Sequence, residues 1–109
     1  MDSERIKQAV RELLAAIGEN PDRAELADTP SKVSESYQEF FKGIGEDPTE
    51  YLKETFPADS TELVMLKDIE LVSICEHHLL PFTGVAHVAF LPDQKIIGLG
   101  RIAKVVEVL

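Results

Sequence analysis

The sequence predicts an α+β fold in which a helical first half gives way to an antiparallel sheet. Three observations carry this. Apolar residues recur at helical spacing through residues 1–57, change to near-alternation from residue 62, and return to helical spacing after Gly98. A chain of 109 residues has room for one apolar core, so it reads as a single domain, with 1–57 as its helical region and 58–109 as strands and the start of a further helix.

Ile6, Val10, Leu13, Leu14 and Ile17 fall on one helical face, with Asp2 or Ser3 as N-cap and Gly18 as the stop. After a polar loop at 19–28, Thr29 reads as an N-cap followed by Pro30 at the first helical position. Val33, Tyr37, Phe40, Phe41 and Ile44 then form a second stripe that ends at Gly43 and Gly45. Asp47-Pro48-Thr49-Glu50 has capping-box spacing and predicts a short helical stretch through Tyr51 and Leu52, ended by Pro57.

From 62 to 74 the pattern alternates, which places Leu63, Met65, Ile69 and Leu71 on one face of a strand and Val64, Leu66, Val72 and Ile74 on the other. A second strand is predicted over 83–91. Pro92-Asp93-Gln94-Lys95 then turns the chain into a short extended piece at Ile96 and Ile97. Residues 98–109 read as a helix with Ile102, Val105, Val106 and Leu109 on one side; no stop signal follows, so the chain reads as cut short.

Composition narrows the function classes. With 44% hydrophobic and 28% charged residues the chain lies in the globular range, and no run approaches the roughly eighteen apolar residues of a membrane span. The N-terminus has no basic start leading into an apolar segment, so a soluble cytoplasmic protein without a membrane partner is expected. A net charge of -9 argues against nucleic acid as a partner, and any anionic ligand must be held by a local basic pocket. The single cysteine, Cys75, excludes an intramolecular disulfide and suits a reducing compartment, where a lone thiol packs, reacts or binds metal.

Two clusters carry chemistry. The first is Cys75-Glu76-His77-His78, between the two predicted strands. Thiolate and imidazole together suit zinc, but on a regular strand side chains three apart point to opposite faces, so Cys75 and His78 can share an ion only where the backbone turns. Pro81 just beyond favours such a break. The same spacing also fits a buried cysteine beside surface histidines. His87 reads as an ordinary strand residue, and Glu76 as a solvated or supporting carboxylate. The second cluster is Gly98-Leu99-Gly100-Arg101-Ile102-Ala103-Lys104, where glycines open a helix and Arg101 and Lys104 project from nearly one face, as a phosphate would require or as a solvated surface would equally show.

Taken together, the run from Ser73 through Cys75-Glu76-His77-His78-Leu79-Leu80-Pro81-Phe82, then Gly84, Leu91-Pro92 and Ile97-Gly98-Leu99, resembles the central signature of the GTP cyclohydrolase I family. Ala27-Asp28-Thr29-Pro30 with Val33 is similar to that family's helix start. The resemblance implies the tunnelling fold, with helices on one face of antiparallel strands and subunits assembled into a homo-oligomeric ring, a decamer in the full-length family. It implies zinc held by Cys75 and His78, His77 as the catalytic proton-transfer residue, and Arg101, Lys104 and Glu76 as substrate-binding residues. The implied reaction opens the imidazole ring of GTP: an activated water attacks C8, His77 protonates N7, formate leaves, and 7,8-dihydroneopterin triphosphate forms on the way to folate or biopterin.

The family's third zinc ligand is a second cysteine in a later strand, and these 109 residues contain no second cysteine. By itself the chain is therefore expected to be inactive. Where the family usually has serine, lysine and arginine, this sequence has Gly100, Arg101 and Lys104, which removes a hydroxyl and keeps both charges. Two other readings stand beside the enzyme: an inactive relative acting as an interaction or regulatory subunit, and a simple metal-binding module.

Overall fold

A computed structural model describes residues Met1–Leu109, which form two units, Met1–Lys42 and Gly43–Leu109. In the first unit, helix α1 (Ser3–Ala16) begins where the Asp2 carboxylate accepts a hydrogen bond from the Arg5 N–H at 3.1 Å. It ends in a Schellman motif: Gly18 takes φ 92°, its N–H donates to the Ala15 carbonyl, and the Glu19 N–H reaches back to the Leu14 carbonyl. Glycine is needed there because a side chain disfavours that backbone region.

Helix α2 (Thr29–Phe40) starts one residue earlier than the sequence suggests. Thr29 is already helical, and Asp28 precedes it in a helix-like conformation without a side-chain cap. The reason lies upstream. Turns bond Leu26 N–H and Ala27 N–H to the Arg23 carbonyl and Thr29 N–H to the Leu26 carbonyl, so the chain enters the helix from an existing turn. α1 and α2 pack together around the buried Pro30 and Ser34, with the Gln38 amide 2.6 Å from the Ser3 hydroxyl, and Tyr37 and Phe41 meet edge-on with ring centres 5.2 Å apart.

In the second unit, Asp47 caps a 3-10 helix (Pro48–Leu52), its carboxylate accepting from the Thr49 hydroxyl at 2.7 Å and the Thr49 N–H at 2.9 Å. Those two bonds, the hydroxyl first, hold the Asp47 carboxyl below its ordinary range. The reciprocal half of a capping box does not form, because Glu50 pairs instead with Lys53. Strand β1 (Thr55–Pro57), which the periodicity does not reveal, pairs antiparallel with β4 (Lys95–Ile97) in the register Thr55 to Ile97. The second sheet is the long hairpin of β2 (Val64–Ile74) and β3 (Pro81–Phe90). Helix α3 (Leu99–Val108) packs on β2 and on the 3-10 helix, and buries Ile102.

The hairpin corrects the face assignment. Leu66 pairs with Val88 and Ile69 with Ala86, so both Lys67 and Asp68 stand opposite His87. This β-bulge shifts the alternation by one: Val64 and Leu66 share the half-buried side with Ile69 and Leu71, while Met65 lies exposed with Val72. Asp68 carries the bulge at φ 57°, and its N–H, unable to join the ladder, donates to His87 Nδ1 at 3.0 Å. His87 is thus in the tautomer with its proton on Nε2, and it completes the hydrogen bonding of the strand.

Three helices and two antiparallel sheets make up the expected α+β class. No helix is long and apolar enough to cross a membrane.

Two substitutions test this description by thermal or denaturant unfolding. Asp68→Val forces a β-branched residue into the left-handed region and is expected to cost about 1–2 kcal/mol, whereas Asp68→Gly is expected to be close to neutral. At Gly43 an added Cβ would run into the Val108 carbonyl oxygen, with the carbonyl carbon 2.8 Å away, so Gly43→Ala must displace the last turn of α3 at a cost of about 1–3 kcal/mol.

Candidate active site

The loop joining β2 to β3 holds the first cluster. The Cys75 N–H donates to the Leu80 carbonyl at 2.9 Å, closing the hairpin, and the Leu79 N–H donates to the Cys75 carbonyl at 2.8 Å. That second bond closes a single helical turn over Cys75, Glu76, His77 and His78. The turn ends on Leu79 at φ 56°, a conformation that leucine adopts only when the surrounding bonds impose it. The local geometry therefore supplies the backbone break that a regular strand would have denied: on a helical turn, residues three apart lie on the same side.

Within this turn Cys75 is half-buried, and Glu76, His77 and His78 are exposed. The sulfur lies 3.7 Å from His77 Nδ1, a weak thiol–imidazole contact whose donor depends on the tautomer. His77 Nε2 lies 3.7 Å from a Glu76 carboxylate oxygen, with the two side chains 81% and 88% exposed, so water screens the pair almost fully. The structure thus places the thiol beside His77, and no group of three or more His, Cys, Asp or Glu side chains converges on one point.

The second cluster opens α3. Gly98 precedes the helix with no side chain to cap its free N–H groups. Arg101 and Lys104 both engage carboxylates of the chain itself. The Arg101 guanidinium donates to Glu54, just before β1, and Lys104 Nζ lies 2.6 Å from Glu107. Beside them the Tyr51 hydroxyl donates to Glu46 at 2.6 Å, and that bond raises the Tyr51 pKa above 10.0.

Glu54 was not legible as part of this cluster. It stands 47 positions from Arg101, and only the pairing of β1 with β4 brings it to the start of α3.

The family model for GTP cyclohydrolase I matches residues 6–109. The chain belongs to that family. It is 50% identical over 107 residues to GTP cyclohydrolase 1 of Rhodopirellula baltica, a match that covers 98% of this chain and 47% of that protein. It is 52% identical over 108 residues to the Carboxydothermus hydrogenoformans protein of the same name (98% and 56%), and 47% identical over 108 to that of Clostridium kluyveri (99% and 58%). The chain thus spans about half the length of the curated relatives it matches. Its α+β arrangement is that of the first part of the GTP cyclohydrolase I tunnelling fold.

Proposed function

We propose that the protein carrying this chain is a GTP cyclohydrolase I, which hydrolytically opens the guanine imidazole ring of GTP to give formate and 7,8-dihydroneopterin triphosphate. The observation that carries the reading is the match over residues 6–109, which includes the Cys75-Glu76-His77-His78 turn together with the basic start of α3. The proposal extends to a homo-oligomeric ring and to a cytoplasmic setting, which the lone cysteine suits.

Zinc fits the loop in kind: a thiol and an imidazole, three residues apart on one turn, are the soft and borderline donors that zinc accepts. Cys75 and His78 would hold it, with a third protein ligand from outside these residues. When bound, the metal supplies Lewis acidity that makes a water nucleophilic near neutral pH.

The chain's own residues do the rest. His77, adjacent in the turn and exposed, is free of the strand ladder and can move a proton to N7 as the bond to C8 breaks. Its neighbour Glu76 can accept from the substrate. Arg101 and Lys104 offer five- and three-donor cationic groups to the triphosphate, beside a helix start that no side chain caps.

The direct test is formate release from GTP by the protein expressed from its complete reading frame. Absence of formate with zinc bound would favour a metal-binding module or an inactive subunit. In that protein, Cys75→Ala or His78→Ala is expected to remove most of the zinc measured by elemental analysis, because one of three protein ligands is lost. Full occupancy in either variant would contradict the assignment. His77→Ala is expected to keep zinc and GTP binding while turnover falls by about a hundredfold or more, read in a single-turnover formate assay.

A further inference from the structure

We propose that Glu54 is a built-in competitor for the phosphate groups at Arg101, a carboxylate that occupies the guanidinium until a polyphosphate displaces it. This rests on the reading of Arg101 and Lys104 as the triphosphate site.

The fold creates the contact. β1 and β4 pair with Thr55 opposite Ile97, so the residue before β1 comes to the end of β4, where the chain passes through Gly98 into α3. Arg101 lies in the first turn of that helix, its N–H bonded to the Gly98 carbonyl at 2.9 Å. A Cβ built on Gly98 would touch both the Phe56 ring at 3.7 Å and the Arg101 Cγ at 3.8 Å, so the arginine stem lies close to β1, the strand that Glu54 precedes. The guanidinium then meets the Glu54 carboxylate across the end of the ribbon.

The chemistry of the pair suits exchange. Both side chains are about half exposed, 48% for Arg101 and 57% for Glu54, so water reaches them and the bond is weak enough to open. Glu54 holds one guanidinium nitrogen, Nη2, so a phosphate that engages Arg101 bidentately through that nitrogen must take the place of Glu54. A singly charged anion that makes this exchange replaces one negative partner with another and gains little. A polyphosphate that also reaches Lys104 gains a second cation in the same event, because the two side chains project from one helical face. Lys104 is itself neutralised by Glu107, so the unliganded helix start presents little net positive charge. In a chain of net charge -9, this arrangement leaves the site selective for dense anions over scattered monovalent ones.

The test measures binding of inorganic tripolyphosphate by isothermal titration at fixed low salt, using the protein expressed from its complete reading frame. The variants are Glu54→Gln, Arg101→Ala and the double variant. Glutamine keeps the size of the side chain at an exposed position, and circular dichroism confirms that each variant is folded. Competition predicts that Glu54→Gln tightens binding about two- to fivefold, the range that an exposed ion pair supports. It also predicts that Arg101→Ala weakens binding and abolishes the gain in the double variant. If Arg101→Ala weakens binding while Glu54→Gln leaves it unchanged or weaker, the competitor role is wrong and the phosphate site stands. If neither variant alters binding, the reading of Arg101 as a phosphate residue falls along with the competition built on it.

Discussion

The antiparallel ladder between β2 and β3 is the constraint on which the reactive loop depends. Its register, from Val64 opposite Phe90 to Ile74 opposite Pro81, brings Cys75 and Leu80 together so that one backbone bond closes the loop. Four residues remain to span the gap, and they do so as one helical turn, which obliges Leu79 to take a left-handed conformation to rejoin the sheet. The strain at Leu79 is held there by the two bonds from Cys75. Without the ladder nothing would favour that turn, since a single isolated helical turn fixes several dihedrals for one hydrogen bond. The placement of Cys75, His77 and His78 on one turn is therefore a product of the sheet, although none of those side chains takes part in it.

The same ladder contains its own correction. A strand of eleven residues with strict alternation would place Val64 and Leu71 on opposite faces, and one of those faces would carry its apolar residues into water. The extra residue at Asp68 restores a common half-buried face for Val64, Leu66, Ile69 and Leu71. The unpaired N–H that this creates is the usual cost of a bulge, and the His87 ring offsets it from the facing strand. His87 is thus a structural histidine with a specific partner, which is more than its position inside a strand suggests.

What was legible in the sequence divides along physical lines. Features fixed by one residue and its immediate neighbours were readable: the stop at Gly18, the proline near the start of α2, the Asp47 cap, and the break after Cys75 signalled by Pro81. The two long strands were readable because alternation over many positions adds up. The bulge was not, because aspartate tolerates left-handed backbone but adopts it at only a small share of positions, so Asp68 alone does not mark it, and the shift shows only when the partner strand is in place. β1 is three residues long and ends in proline, too short for periodicity to register. Glu54 was invisible for a related reason: its role depends on a pairing between segments some forty residues apart, and among many surface glutamates nothing in its local sequence sets it apart.

Apolar burial and charge then explain why the two candidate clusters differ in character. On the outer side of the hairpin Met65, Val72 and Val85 are exposed, Leu79 and Leu80 are exposed in the loop itself, and Phe82, opposite Ser73, is exposed on the other side. The Cys75 turn is consequently flanked by exposed apolar side chains, and covering them would remove water from the thiol and imidazoles and strengthen the charge interactions there. The start of α3 has the opposite setting: its cations lie in water, each beside a carboxylate, where interactions are weak and exchangeable. Under the proposed function, a loop that would gain reactivity as it is dried and a basic helix start that would exchange anions while wet suit different parts of one substrate, the first a planar heterocycle and the second a polyanion. The sheet order that joins β4 directly to α3 keeps the two clusters on one continuous unit of the chain.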